Sequence, residues 1–227
     1  MPENFSFRMT DEEYRVLEKI KNSIPVCYLA DHADFALGIV TGNNKKFLSA
    51  EKTQHSEMVL KGTDICKYHI NPAKQYLRFE PEQFQQVAPL EIYRAPEKLL
   101  YRFISNQLVV AYDDRQMLSL NSCNIVIPKI EGMQIKYILA ILNSSVSQFV
   151  YQKEFHSIKV LRAHMEHIPI PRVGKAIQNE IIAMTEPLIC GMGKEAAETC
   201  QKRLDCRIMD LFRLSAEEQW IIRHALH

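Results

Sequence analysis

No C-x-x-C pair occurs, and the six cysteines, at 27, 66, 123, 190, 200 and 206, show no Cys/His spacing that would close a zinc tetrahedron. Zinc is not expected, and free thiols in a reducing compartment are. No run approaches the roughly 18 apolar residues of a membrane span. Glu3, Asp11, Glu12 and Glu13 stand where a secretory signal needs positive charge, so the expectation is a cytoplasmic chain without membrane contact. Charge of one sign is also lacking, since 28 Lys and Arg against 27 Asp and Glu leave +1. Any anionic partner must therefore be met by a local patch. Glycine is scarce, at seven, and there is neither an internal repeat nor a low-complexity segment. What remains is an ordinary globular composition, 47% hydrophobic and 24% charged, in 227 residues. That is enough to bury a core without disulfides or metal.

Catalytic signatures are equally sparse. The Asn-Pro-Pro-Tyr type of turn that grips a target amine has no counterpart: Asn71-Pro72 is followed by Ala73-Lys74. Gly191-Met-Gly193 lies inside a helical pattern, without the preceding strand of a nucleotide-binding loop. None of the sixteen lysines has Asp or Glu two residues before it, as a metal-dependent nuclease core requires. His164 and His167 are spaced to share a metal on a helix, but no third ligand is evident, and the pair reads as a solvated or phosphate-facing helix. Asp113-Asp114, after a strand, reads as a turn, and no Ser or Cys sits in a nucleophile elbow. No metal site and no catalytic residue is assigned, and the chain is read as a non-enzyme.

The pattern of elements predicts an α+β fold. Thr10-Asp11-Glu12-Glu13 opens a capping box, and Tyr14, Leu17, Ile20 and Ile24 continue at helical spacing up to Pro25. Short β-rich runs follow at 35–40, 76–79, 99–104 and 108–112, the last two joined by a turn at Ser105-Asn106-Gln107. A strand is expected at 123–127, then helices at 134–142 and 146–151 with Asn143, Ser144 and Ser145 as a close-packed connection. Tyr93, Tyr101, Phe103 and Tyr112 are read as core. Ile168-Pro169-Ile170-Pro171 enforces an extended chain, after which helices at 175–189 and 194–214 and a third from the Ser215 capping box are predicted. Residues 1–172 thus form a mixed α/β, β-rich core with flanking helices, and 173–227 a C-terminal helical subdomain. In the latter, Leu204, Ile208, Leu211, Phe212, Leu214, Trp220 and Ile221 provide an apolar stripe.

Charge is uneven over this plan. Residues 1–37 carry seven acids against four bases, residues 38–62 four Lys against two Glu, and residues 91–172 ten Lys and Arg against seven acids. The β-rich middle is the basic part. Within it, Gly38-Ile-Val-Thr-Gly-Asn-Asn-Lys-Lys-Phe47 combines two glycines, neutral donors and two lysines between a strand ending at Val40 and one starting at Phe47. Such a loop suits a phosphate backbone; composition alone equally describes an Asn-rich hairpin with solvated lysines.

Larger blocks resolve the choice. The runs GIVTGNNKKFL, KGTDICKYHI, KLLYRFISNQLVVAYDD, ILNSSVSQFVYQKEFHSIKVLRAHMEHIPIPR and LDCRIMDLFRLSAEEQWIIRHAL occur in order from about residue 25 onward. Together they resemble the TaqI-like C-terminal specificity region of type IIG restriction-modification enzymes and adenine-specific DNA methyltransferases. The Leu-Asn-Ser and Ile-Pro-Ile-Pro blocks are also similar to target recognition domains of type I specificity subunits. The resemblance implies a region that reads double-stranded DNA for a methyltransferase or nuclease domain of the same or a companion chain. It also implies that S-adenosylmethionine, and Mg where a nuclease is present, belong to that catalytic domain, with no cofactor in this chain.

On that reading Lys45, Lys46, Lys98, Arg102, Lys159 and Arg162 are phosphate ligands, with Thr41 and Ser157 as neutral donors. Asn43 and Asn44 address adenine, and Arg94 or Arg162 guanine. Arg94 and Arg102 have ion pairs with Glu91, Glu97 or Glu131 as the alternative. Phe155, Ile158, Val160 and Leu161 are read as anchors of the segment that carries Ser157, Lys159 and Arg162. Two other readings stand beside this one: a structural, protein-interaction subunit that orients a methyltransferase or nuclease without reading bases, and an enzyme with an unfamiliar site around His156, His164 and Glu166.

Overall fold

In the computed structural model, which describes residues 9–155 and 157–226, the chain is α+β. Helix α1 (Asp11–Asn22) is followed by strands β1 (Val26–Cys27) and β2 (Ala33–Ala36), the one-turn helix α2 (Asn44–Phe47), strands β3 (Leu48–Ser49), β4 (Glu57–Leu60) and β5 (Tyr76–Leu77), and helix α3 (Leu90–Tyr93). Strands β6 (Lys98–Arg102), β7 (Val110–Asp113), β8 (Leu118–Ser119) and β9 (Cys123–Pro128) come next. Helices α4 (Ile135–Asn143), α5 (Ser145–Phe155) and α6 (Arg162–Glu166) lead to strand β10 (Ile170–Pro171) and then to helices α7 (Lys175–Cys190), α8 (Lys194–Leu211) and α9 (Ala216–Ala225).

Both capping boxes form as their sequences dictate. The Thr10 hydroxyl accepts from Glu13 N–H at 3.2 Å while the Glu13 carboxylate accepts from Thr10 N–H at 2.9 Å. Ser215 and Glu218 repeat the arrangement at 3.2 and 2.6 Å. Each such cap contributes about 1 kcal/mol. Glu218 also takes the Lys19 ammonium at 2.6 Å, which ties α9 to α1.

A four-stranded antiparallel sheet in the order β2-β9-β6-β7 divides the interior. Phe35, Val126, Leu99 and Tyr112 align across it and face one hydrophobic cluster; Ala36, Ile125, Leu100 and Ala111, one residue along, face another. Burial on both faces explains why these strands are near-continuous apolar runs. On the first face lie α1, α4 and α5 together with the helices after residue 172: Ile181, Leu188, Leu204, Ile208 and Phe212 share one cluster with Leu17, Ile138 and Phe149. The C-terminal stripe thus faces the chain's own interior, except for Trp220, which is 56% exposed and stacks on His224 at 3.7 Å. The Ile-Pro-Ile-Pro segment is extended, and β10 pairs with β1 through Val26↔Pro171 and Cys27↔Ile170.

On the second face lies a smaller sheet, β3-β5-β4-β8, in which β4 and β8 run parallel. Its cluster contains Val59, Leu60, Leu77, Phe84, Tyr93 and Leu118. Of the aromatics read as core, Tyr93, Tyr101 and Tyr112 are buried and Phe103 is half-buried.

The outer edge of β7 is closed by the Tyr68 backbone, whose N–H donates to the Val110 carbonyl at 2.8 Å and whose carbonyl accepts from Tyr112 N–H at 3.2 Å, and by two side chains. Gln148 of α5 accepts from Leu108 N–H at 2.8 Å and donates to its carbonyl at 3.0 Å. Asn143 does the same for Val110, at 3.1 and 2.9 Å. The Asn143-Ser144-Ser145 connection therefore does more than allow close packing: it covers an edge that would otherwise leave backbone groups unpaired.

Candidate nucleic-acid interface

The stretch 41–46 folds differently from the expected open loop. Asn43 accepts from Lys46 N–H at 3.2 Å through its side-chain oxygen and so caps α2, placing Phe47 at the end of a helical turn and not at the start of a strand. An Asn at an N-cap favours the helical turn in this way. The Thr41 hydroxyl, buried, donates to the Asn44 side-chain oxygen at 2.6 Å. Gly42 has φ +75°, a left-handed conformation that suits glycine. Gly38 is needed for a different reason: a Cβ there would stand 2.1 Å from the Leu120 carbonyl oxygen. The turn leaves Asn43, Asn44, Lys45 and Lys46 exposed, with Thr41 beneath them as a positioning group.

A second polar arm lies against this turn. Val40 and Gln86 exchange backbone hydrogen bonds at 2.9 and 3.1 Å. Lys46 Nζ is 3.4 Å from Gln83 Oε1, and Gln85 flanks Gly42. Beneath them Phe47 and Phe84 meet edge to face at 5.3 Å, and Phe79 joins Phe84 at 6.0 Å. Gln83, Gln85 and Gln86 are exposed. Among the described residues the Gln85 and Gln86 amides have no hydrogen-bond partner, so each offers a donor and an acceptor side by side. Sequence reasoning missed this arm. Its signal was the alternation of exposed glutamines about a buried phenylalanine in Gln83-Phe84-Gln85.

Gln86 also lines a cleft of about 610 Å³ that runs along β2, with Phe35, Gly38, Ile92 and Arg162. The Arg162 guanidinium lies 5.3 Å above the Phe35 ring and its Nε donates to Glu166 at 2.7 Å. That ion pair is on the surface, where such pairs contribute little, so Arg162 can exchange Glu166 for a phosphate or a base edge at small cost. The cleft thus brings Arg162 into one surface with the turn at 42–46. Lys159, exposed, stands in the segment before α6, which extends β6 through the Ile104↔Lys159 bridge. Ser157 closes that segment on itself, its Oγ lying 3.0 Å from both N–H and carbonyl of Lys159. Val160 is buried there, whereas Ile158 and Leu161, read as anchors, are exposed.

Three other expected contacts are occupied elsewhere. Lys98 is fully buried, its ammonium 2.5 Å from Asp113 and 2.7 Å from the Tyr93 carbonyl, so it is closed to a phosphate. Burial lowers its pKa and the Asp113 carboxylate opposes that shift. Arg102 donates to the Gly62 and Ile65 carbonyls and locks the segment after β4. Arg94 pairs with Glu57 at 2.7 Å, rather than with Glu91, Glu97 or Glu131, and caps the Gln116 carbonyl. Lys98 is held there because its withdrawal would leave the buried Asp113 carboxylate, oriented by Arg115 and Met117 N–H, without a cation.

The histidines do not converge. His164 stacks on Phe155 at 4.5 Å, its Nδ1 accepts from Leu161 N–H, and burial lowers its pKa. The His167 Nδ1 is 2.6 Å from the Ala163 carbonyl, and Glu166 is engaged by Arg162. His156 lies outside the described residues. Among the described residues no three His, Cys, Asp or Glu side chains are grouped to hold a metal, and no helix is long and apolar enough to cross a membrane.

No curated protein matches the chain. Among solved structures it is similar to the type IIL restriction-modification enzyme MmeI in complex with DNA, at 11% identity and TM-score 0.57, over 86% of this chain and 35% of that one. A structure from the type I R-M system aligns over 95% of this chain and 51% of the other, at 13% identity and TM-score 0.49. The HsdS subunit from Thermoanaerobacter tengcongensis aligns over 95% and 50%, at 14% identity and TM-score 0.45. The chain therefore spans between about a third and a half of the solved chains it matches. The MmeI likeness supports the fold, with its mixture of strand and helix. The model of the TaqI-like C-terminal specificity domain matches residues 57–170. The chain belongs to the family of TaqI-like C-terminal specificity domains.

Proposed function

We propose that this chain is the DNA target recognition part of a restriction-modification enzyme, reading duplex sequence for a methyltransferase or nuclease domain on the same or a companion polypeptide. The methyl donor, and any Mg, would be held by that catalytic domain. The observation that carries the reading is the joined surface of the 42–46 turn, the 83–86 arm and the Arg162 cleft, which exposes Lys45, Lys46 and Arg162 together with the amides of Asn43, Asn44, Gln85 and Gln86. Lys45, Lys46, Lys159 and Arg162 supply phosphate contacts that fix register. Gln85 and Gln86, whose amides have no partner among the described residues, suit the paired donor and acceptor of an adenine edge in the major groove. Asn43 and Asn44 have their oxygens engaged within the turn and present their NH₂ groups, which suit base acceptors.

Each bidentate pair contributes about 1–3 kcal/mol of discrimination. The fold likeness to MmeI, a structure solved with DNA, supports the same reading.

A mobility-shift series on random-sequence duplex tests it. Binding should weaken roughly tenfold or more between low and moderate salt if several phosphates are engaged. Absence of duplex binding at low salt would count for a subunit that orients the catalytic domain without touching bases.

A further inference from the structure

At the opposite edge of the central sheet from the Arg162 cleft, beside β7, a crevice of about 560 Å³ opens between the Lys67 loop and helices α5, α8 and α9. Lys67, Lys202 and Arg223 line it, with Gln148, Ser145 and Asp205. Its acid is already committed: Asp205 Oδ1 accepts from Ser145 N–H at 2.7 Å, capping the first turn of α5. Its cations are not. Lys67 donates to the Asn143 carbonyl at 3.2 Å, and neither it nor Lys202 nor Arg223 makes an ion pair among the described residues. Arg223 instead reaches Gln219 at 3.2 Å and the Cys206 sulfur at 3.3 Å. Glu198, on the adjoining wall, pairs with none of them. Burial of Lys67 lowers its pKa, with Asp205 opposing, as for an ammonium short of compensating charge.

A desolvated cation with spare donors, set in a concave wall with two more, is complementary to carboxylates. We propose that this crevice is a docking site for an acidic segment of a partner polypeptide, whose carboxylates pair with Lys67, Lys202 and Arg223. A protein occupant is favoured over DNA because the four-stranded sheet stands between this crevice and the Arg162 cleft, so one straight duplex lying along that cleft does not reach it. The inference does not depend on whether the other surface reads bases.

The test uses the full chain, a fluorescein-labelled dodecapeptide of alternating glutamate and glycine, and a labelled random-sequence duplex, followed by fluorescence anisotropy at low salt. Peptide affinity should fall at least tenfold in Lys202→Glu/Arg223→Glu and in Lys67→Met, and stay unchanged in Lys45→Glu/Lys46→Glu. Duplex binding should show the reverse dependence. The proposal is overturned if no variant or wild-type chain binds the peptide, if all bind it equally, or if the duplex is lost as severely from Lys202→Glu/Arg223→Glu as from the turn variant. Loss of duplex binding by no variant at all would instead strike only the recognition reading.

Discussion

Asn143, the last residue of α4, holds both backbone groups of Val110 with its side-chain amide, at 3.1 and 2.9 Å, and so closes the β7 edge beside the Tyr68 backbone. Its NH₂ reaches the Leu139 carbonyl as well, at 3.2 Å, so all three contacts are internal and buried.

Asn143→Leu is expected to destabilise the chain by about 1–3 kcal/mol, because it leaves the buried Val110 N–H unpaired, whereas the Val110 carbonyl keeps the Tyr68 N–H at 2.8 Å. Urea unfolding should show a lowered midpoint with an unchanged slope. A loss under about 1 kcal/mol would mean that water or a strand shift satisfies Val110.

Lys98→Met should cost about 3–5 kcal/mol, since it leaves the buried Asp113 carboxylate without its cation. Adding Asp113→Asn should recover part of that loss. The folded fraction of the single variant should bind duplex as wild type does, which a mobility shift on refolded protein checks; weakened binding there would restore Lys98 as a DNA contact.

Gln86→Ala should change preference at one base-pair position, whereas Lys45→Glu/Lys46→Glu should weaken binding to every sequence alike. Selection of bound duplexes from a randomised pool separates the two. Asn43→Ala is expected to do both, weakening binding to every sequence by removing the cap of α2 and changing preference at one position by removing the Asn43 NH₂. The same preferences retained by Gln86→Ala would remove that arm from base reading.

Stability should fall in strong alkali. Burial raises the phenol of Tyr101 from the ordinary 10.0 to about 12, and raises those of Tyr68 and Tyr137 further. A raised folded value means that the unfolded chain releases these protons first. The contribution is therefore complete below pH 10 and is lost as pH rises through 12, at about 1.4 kcal/mol per pH unit for each tyrosine. Denaturant midpoints should fall across that range, and the phenolate absorbance assigned to Tyr101 by difference from Tyr101→Phe should rise only towards pH 12; that difference signal appearing near pH 10 in the folded chain would contradict the burial.

Local signals were the legible part of the fold. Thr10 and Ser215 announce their helices because a cap needs only residues three apart, and the apolar runs at 99–104 and 123–127 announce strands closed on both faces. β4 and β8 were missed: each is a short strand whose pairing, Val59↔Leu118, joins residues far apart in sequence. Lys98 reads as a basic residue beside a basic run until Asp113, fifteen positions on, is folded against it. At the candidate interface the 42–46 turn was legible from its glycines and asparagines. The glutamine arm was not, because its proximity to Gly42 arises only when Val40 pairs with Gln86.

One antiparallel wall separating two hydrophobic clusters also governs how new specificities can be spliced in. Odd-numbered Leu99 and even-numbered Leu100 feed different interiors, so a single residue inserted within β6 would send the contents of each into the other. Chimeras must therefore conserve parity through 98–102 and 123–128. Length changes belong in the turns that project from the smaller cluster, where an extra residue lengthens a finger without exchanging the inside.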